Sequence, residues 1–251
     1  MNLMNSNDGA MNEQPTYENY PELSRYSSTD RFGEPKEDFK TIVRKLTAMN
    51  LPEDDVRVAD VGCANGELLY YLQDRFPNWD LYGYDIEASY LETAHSVEEL
   101  EDVTFIQKNL FDITRSFDLL LSSCFLLLFQ DIEPPLKTMI DLCTDSGSIV
   151  STGLFNPHGI DVRVEYRDNN HQETKGTWRT DYNRHSQQTI HSLFDEQVSA
   201  IKFEPCPFNV DIEPDPDHPL RVWTVRDADG NRIIRNGAGQ ILNQTLMTIH
   251  V

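Results

Sequence analysis

The residues best placed to do chemistry stand in one short run, Val58-Ala59-Asp60-Val61-Gly62-Cys63-Ala64-Asn65-Gly66. Apolar residues lead into it and Glu67-Leu68-Leu69 follow, so it reads as a strand turning through two glycines into a helix. In an α/β sheet such a turn is where a ligand sits, and glycine there lets the backbone approach it closely. An ordinary strand-to-helix turn favours glycine too, so the neighbouring acids carry the discrimination. Asp60 lies at the strand end just before the turn, where a carboxylate repels a pyrophosphate on the helix N-terminus and suits a cation. Asp85, 19 residues after Gly66, closes the next apolar stretch. A carboxylate at that place can accept both hydroxyls of a ribose. These types and spacings describe a site for a ribonucleoside that carries positive charge and no phosphate.

Such a loop needs a sheet behind it. Phe39, Ile42, Val43, Leu46 and Met49 fall at helical spacing ahead of Pro52. Beyond them the pattern predicts strands at 56–61, 81–86, 103–107, 117–122 and 148–155, with helices at 67–76, 88–97 and 134–143 between them; Cys143 is placed inward on the last helix. A helix at 187–197 and strands at 198–203 and 245–251 complete the alternation. Strands separated by helices require right-handed crossovers. The expected fold is α/β: a Rossmann-like, doubly wound, mostly parallel seven-stranded sheet with helices on both faces. A substrate-binding insertion at 156–186 and a C-terminal β-hairpin around Asp227-Ala228-Asp229-Gly230 are added to it.

At this point a family resemblance is visible. The run 58–66 resembles the first motif of class I S-adenosylmethionine-dependent methyltransferases, and three landmarks follow in the family's order. Tyr82-Gly83-Tyr84-Asp85-Ile86 resembles the ribose-binding second strand. Gln107-Lys108-Asn109-Leu110-Phe111-Asp112 resembles the segment that hydrogen-bonds adenine, with Asn109 where the family often has Asp. Phe117-Asp118-Leu119-Leu120-Leu121-Ser122-Ser123 resembles the fourth strand, whose end faces the methyl group. The resemblance runs from about residue 40 to residue 155 and extends to the last strands. It implies S-adenosyl-L-methionine as donor, S-adenosyl-L-homocysteine as product, and an N or O atom of a small molecule as acceptor. It also implies that Asp60 and the loop of Gly62, Cys63, Asn65 and Gly66 orient the methionine end. Asp85 and Ile86 would then take the ribose, Asn109 and the Leu110 amide the adenine, with Ser123 at the methyl-facing strand end. Ala64 departs from the pattern, at a position that is often Gly; alanine allows close approach where φ stays negative.

Methyl transfer from a sulfonium is an in-line displacement in which a cationic donor becomes a neutral thioether, so alignment and exclusion of water supply much of the acceleration. A neutral amine acceptor needs no strong base, whereas a hydroxyl does better with His, Glu or Asp in reach. His185 and His158 are the candidates for that base. Four of the seven histidines (His158, His171, His185, His191) fall between 158 and 191. None are at i, i+4 spacing and no H-E-x-x-H occurs, so no metal is expected. Tyr166, Trp178 and Tyr182 in the insertion could wall an acceptor pocket, with Tyr26 from an N-terminal lid spanning 21–50. The same aromatic residues could equally pin a solvated loop or cap the sheet.

Composition bounds the rest. Lengths of 200 to 250 residues are routine for one α/β domain, so the 251 residues divide into a disordered tail at 1–20 and a single domain at 21–251. Its Pro-rich loop and hairpin occupy 205–240. The formal net charge of −21 repels polyanions, which disfavours nucleic acid and an anionic membrane surface. The most apolar stretch, 119–129, is too short and too polar to span a bilayer, and residues 1–20 lack the features of a secretory signal. Four widely spaced cysteines without a C-x-x-C pair suit reduced thiols in a cytoplasm. The expected protein is a cytoplasmic enzyme for a small acceptor, compatible with a homodimer. Two alternatives stay open: a Rossmann-type NAD-binding oxidoreductase, disfavoured by Asp60 and by the lack of a G-x-G-x-x-G run, and a catalytically silent S-adenosylmethionine-binding protein.

Overall fold

Apolar strands joined through amphipathic helices build the sheet that the pattern requires, as seen in a computed structural model that describes residues 31–251 apart from 168, 170–175, 177, 181 and 217–219. The expected tail at 1–20 and Tyr26 lie outside the described residues. In chain order the elements are α1 (Glu37–Ala48), β1 (Arg57–Val61), α2 (Glu67–Arg75), β2 (Asp80–Asp85), α3 (Ala88–His95), β3 (Thr104–Gln107), β4 (Phe117–Ser123), α4 (Glu133–Asp141) and β5 (Cys143–Gly153). The insertion then contributes four two-residue strands, β6 (Phe155–Asn156), β7 (Glu165–Tyr166), β8 (Arg179–Thr180) and β9 (His185–Ser186). After it come α5 (Gln187–Phe194), β10 (Ala200–Pro205), β11 (Trp223–Arg226), β12 (Arg232–Arg235) and β13 (Thr245–His250).

The main sheet has seven strands in the order β10-β13-β5-β4-β1-β2-β3. β1 pairs in parallel with both β2 and β4, and β13 runs antiparallel to both of its neighbours. The direction of winding reverses beside β1. A crevice therefore opens at the carboxyl ends of β1 and β4, the place where such sheets bind ligands.

Strand periodicity divides the core. Along β4, Leu119 and Leu121 point to one face and Leu120 to the other, all fully buried. The first face packs under Ile42, Leu46, Leu68 and Leu72 of α1 and α2. The second packs under Leu136 and Met139 of α4 and Ile190 and Phe194 of α5. Each such side chain contributes about 1.5–3 kcal/mol through removal from water. The helix ends are specified locally: Pro134 and Pro135 sit in the first turn of α4, where a missing N–H costs nothing, and Ser186 Oγ caps α5 by accepting from the Thr189 amide.

Among the element boundaries that differ from expectation, two have a visible physical reason. α4 stops at Asp141 and Cys143 opens β5 opposite Phe117, because Phe117 N donates to Leu142 O and draws the chain into the sheet. β10 extends through Pro205, which the outermost strand tolerates because one side of it needs no ladder donor. The C-terminal hairpin forms as expected between β11 and β12, turned by Gly230 at φ +84°. On its flank the exposed Asp211 accepts from both Arg226 and Arg232 at 2.8 Å.

The insertion is tied to the crevice by one buried amide. Asn183 is fully buried; its Oδ1 accepts from Val164 N at 2.9 Å and its Nδ2 donates to Phe129 O at 3.0 Å, while its own N–H reaches Leu127 O. Replacement by Ala would leave the half-buried Val164 N–H and Phe129 carbonyl without their partner, at up to about 1–3 kcal/mol each. Asn183→Ala is expected to lower the melting temperature by several degrees in a calorimetric scan, whereas Gln130→Ala, which changes only an exposed hydrogen bond to Thr180, is expected to leave it almost unmoved.

Candidate functional site

The glycine loop is shaped by its neighbours before any ligand arrives. Gly62 N and Cys63 N both donate to Tyr84 O, at 2.8 and 3.1 Å, lacing the loop to the end of β2. Gly62 and Gly66 have φ of +75° and +81°, which L side chains rarely adopt. A Cβ on Gly62 would stand 2.5 Å from the Phe125 ring, and one on Gly66 would stand 2.7 Å from Phe105. Glycine is thus required here by conformation and by packing as well as by access. Ala64 corrects an expectation: its φ is +48°, in the left-handed region rather than at a negative value. The reason is visible in its amide, which must turn to donate to Asp85 Oδ2 at 2.9 Å.

Asp85 is braced on both oxygens, since Oδ1 accepts from Glu87 N, also at 2.9 Å. Burial pushes its carboxyl above the usual range, against the opposing backbone donors. Each oxygen keeps a further lone pair for a hydroxyl. Asp60 is more extreme. It is 2% exposed, and its Oδ1 has no hydrogen-bond partner among the described residues. Burial, with the nearby charges of Asp85 and Glu67 adding to it, pushes its pKa up to about 8. Glu67, at the start of α2 and also 2% exposed, is raised by burial as well, with Lys36 and Arg31 opposing. A buried carboxylate with an unused acceptor, among other acids, suits a cation or a strong hydrogen-bond donor. These residues therefore fit a cationic nucleoside.

The other residues expected to hold the donor lie at or just after the carboxyl ends of β1, β2, β3 and β4. Cys63 is buried with its thiol held neutral by burial. Asn65 is buried beside it and bonds the Glu67 carboxylate. Ile86 is partly exposed and its carbonyl accepts from Gln107 Nε2. Asn109 Oδ1 accepts from Phe111 N at 3.1 Å, fixing the turn that carries the buried Leu110. Ser123, at the end of β4, donates to Asp38 Oδ2 at 2.6 Å.

That last bond brings in residues the linear pattern missed. Asp38 is in the first turn of α1 and only 4% exposed. As an acid next to Glu37 it reads as a complement to the helix dipole, and nothing in the sequence places it beside Ser123, 85 positions away. Next comes Cys124, at φ +55°, with its Sγ 3.7 Å from Asp38 Oδ2 and 3.1 Å from Gln244 Nε2. Burial pushes its thiol up to about 12. A non-glycine residue held in this conformation at a strand end marks a site where the backbone is constrained for more than packing.

Asp38, Cys124 and Gln244 line a cavity of about 810 Å³ together with Tyr182, Leu127 and Leu154. Of the aromatic residues expected to wall an acceptor pocket, Tyr182 is there. Tyr166 and Trp178 are not: β7 and β8 pair with each other, and Trp178 is 61% exposed with Arg167 over its ring. Neither candidate base lines the cavity. His185 is 4% exposed with Nε2 bonded to Leu126 O at 3.1 Å, and burial depresses its pKa, so its neutral ring supports the segment after β4. His158 is exposed in the turn after β6. Among the described residues no three His, Cys, Asp or Glu side chains are grouped as metal ligands.

Comparisons with known proteins agree with this geometry. Residues 52–197 match the family model described as a methyltransferase domain. A 102-residue stretch is 30% identical to trans-aconitate 2-methyltransferase from Deinococcus radiodurans, covering 41% of this chain and 39% of that protein. The chain thus spans well under half the length of that relative. Among solved structures, magnesium protoporphyrin IX methyltransferase from Synechocystis superposes with a TM-score of 0.53 at 14% identity, covering 86% of this chain and 79% of that one. A chain of the complex between the Haloferax volcanii Trm112 methyltransferase activator and a methyltransferase superposes with a TM-score of 0.59 at 14% identity, covering 91% and 95%.

Two outcomes follow from the loop. Asp60 has a folded pKa of about 8 against the ordinary carboxylate value of 3.8, so the folded chain holds a proton that the unfolded chain has lost between those values. The stability contributed by that proton is complete below the lower pKa, declines as pH rises through the window, and is exhausted above the upper one. Asp60→Asn is expected to flatten this decline in urea titrations across the window, and at pH 8 to raise stability. Ala64→Gly removes the left-handed penalty of roughly 1–2 kcal/mol and is expected to stabilise by about 1 kcal/mol after the entropy cost of glycine, read as a rise in the urea midpoint with unchanged slope.

Proposed function

The chain belongs to the class I S-adenosylmethionine-dependent methyltransferase family, and on that premise we propose that it transfers a methyl group from S-adenosyl-L-methionine to an N or O atom of a small-molecule acceptor. The observation that carries the reading is the buried Asp60 with its partnerless oxygen, set beside the braced Asp85 on the glycine loop. The donor supplies a methyl group on a cationic sulfur. Asp60 would hold the cationic methionine end, and a cation beside it favours its ionised form. Asp85 would accept the ribose hydroxyls, and Asn109 with Leu110 would meet the adenine. Phe125 and Phe129, in edge contact with centroids 5.1 Å apart, shield the crevice from water beside Gly62, which supports alignment of donor and acceptor.

Several finer assignments belong to the same proposal. α1 lies in the described part, 31–50, of a lid at 21–50, held at the strand ends by Asp38 and Ser123. The cavity beside it, within the roughly 300–1,000 Å³ of small-molecule sites, takes the acceptor. Free cysteines among the described residues support a reducing compartment such as the cytoplasm. No helix of the described residues is long and apolar enough to cross a membrane. A dinucleotide reading meets the buried Asp60 where a pyrophosphate would lie, an electrostatic conflict.

Thermal shift measures the donor assignment. At a hundredfold excess over Kd a ligand stabilises by about 2.7 kcal/mol, so S-adenosylmethionine and S-adenosylhomocysteine are each expected to raise the melting temperature by roughly 5–10 °C. NAD is expected to leave it unchanged, and Asp85→Ala to remove the shift. A shift with NAD alone would refute the reading, and methyl transfer to any acceptor from labelled donor would separate an enzyme from a silent binding protein.

A further inference from the structure

The acceptor cavity has a chemistry of its own. Its floor is a small apolar cluster, Leu127, Leu154, Ile234 and Leu242, distinct from the clusters on the two faces of the main sheet. Phe208 and Val222 pack against that cluster and line the same cavity. Among its lining residues is Asp38, a carboxylate that accepts from Phe39 N, from Ser123 Oγ at the end of β4 and, more distantly, from Cys124 Sγ. Among the described residues four cations also line the cavity, Arg31, Lys36, Lys40 and Arg221. Lys40 pairs with Glu37 at 2.6 Å and Arg221 with Asp215 at 3.3 Å, while Lys36 and Arg31 act on Glu67. The acids Glu34, Glu37, Asp38 and Asp211 line it as well, so the described walls carry no net positive charge to draw an anion, and the acid bonded to the end of β4 is Asp38.

From this juxtaposition we propose that the acceptor is an uncharged amphipathic alcohol, phenol or amine: its apolar body lies on the Leu127–Leu154–Ile234–Leu242 floor and its reacting O–H or N–H donates to Asp38. A carboxylate acceptor would meet Asp38 with like charge and is disfavoured. The inference rests on the methyl-transfer reading and names the substrate class for that site. Asp38 then serves as the base: the bond from sulfur to methyl breaks with its electron pair left on sulfur, a bond from methyl to the acceptor's O or N forms, and the acceptor's proton passes to Asp38 and on to solvent.

Three probes sharing one apolar body test the assignment, naphthol, naphthylamine and naphthoate, each titrated by calorimetry into the full chain with and without S-adenosylhomocysteine. The first two are expected to bind at least about tenfold tighter than naphthoate, as a hydrogen-bonding site discriminates against a misfit group. Asp38→Asn is expected to reduce that preference to below about threefold. Phe208→Ala is expected to weaken all three by roughly 3- to 10-fold through lost apolar contact while leaving S-adenosylhomocysteine binding unchanged. Naphthoate binding as tightly as naphthol, a preference that survives Asp38→Asn, or no binding of any probe would each overturn the proposal. Should Asp38→Asn fail to fold, the wild-type ranking and Phe208→Ala still decide it. Loss of the donor reading would show separately, as absent S-adenosylhomocysteine binding whatever the probes do.

Discussion

The structure is organised around a carboxylate kept out of water with one oxygen left unpartnered among the described residues. Asp60 sits at the point where the sheet changes its direction of winding, enclosed by β1, the glycine loop and α2. Burial strongly disfavours the ionised form of that group, and the neighbouring Asp85 and Glu67 disfavour it further, which is why its pKa rises to about 8. The arrangement persists because the surrounding sheet is stable enough to impose it. Leu119, Leu120 and Leu121 of β4 are completely buried beside it, and the loop is laced to Tyr84. In the proposed reading a cationic nucleoside beside Asp60 favours its ionised form and supplies the missing partner.

The acids also explain why the loop is built so rigidly. Phe105 and Phe125 occupy the space that side chains on Gly66 and Gly62 would need, and the Asp85 carboxylate draws the Ala64 amide into a left-handed turn. The cradle is thus shaped by aromatic packing and by one anion before it meets another molecule. Preorganisation of this kind lowers the entropy lost on binding.

The residues proposed from the pattern for the donor, Asp60, Gly62, Gly66 and Asp85, are close in sequence, and they lie within one strand–helix–strand unit. The cavity was not legible, because its described lining draws on α1, the residue after β4, Tyr182 of the insertion, and the stretch from Phe208 to Gln244. Asp38 and Ser123 meet only through tertiary packing. Trp178 and Tyr166 attracted notice by composition, yet the pairing of β7 with β8 carries Trp178 into solvent. His185 looked reactive and proves to be a buried strut, since a ring whose Nε2 is engaged by a carbonyl in an apolar setting stays neutral. Ala64 shows the reverse failure: its type was noted, but its sign of φ depended on a hydrogen bond across two strands.

The separateness of the third apolar cluster has a mechanical meaning. Leu127, Leu154, Ile234 and Leu242 share no members with the two clusters that hold the sheet to its helices. The cavity floor can therefore change shape without disturbing the packing on either face of the sheet. Its coupling to the strand ends runs through the bond between Asp38 and Ser123, a seam rather than a shared core.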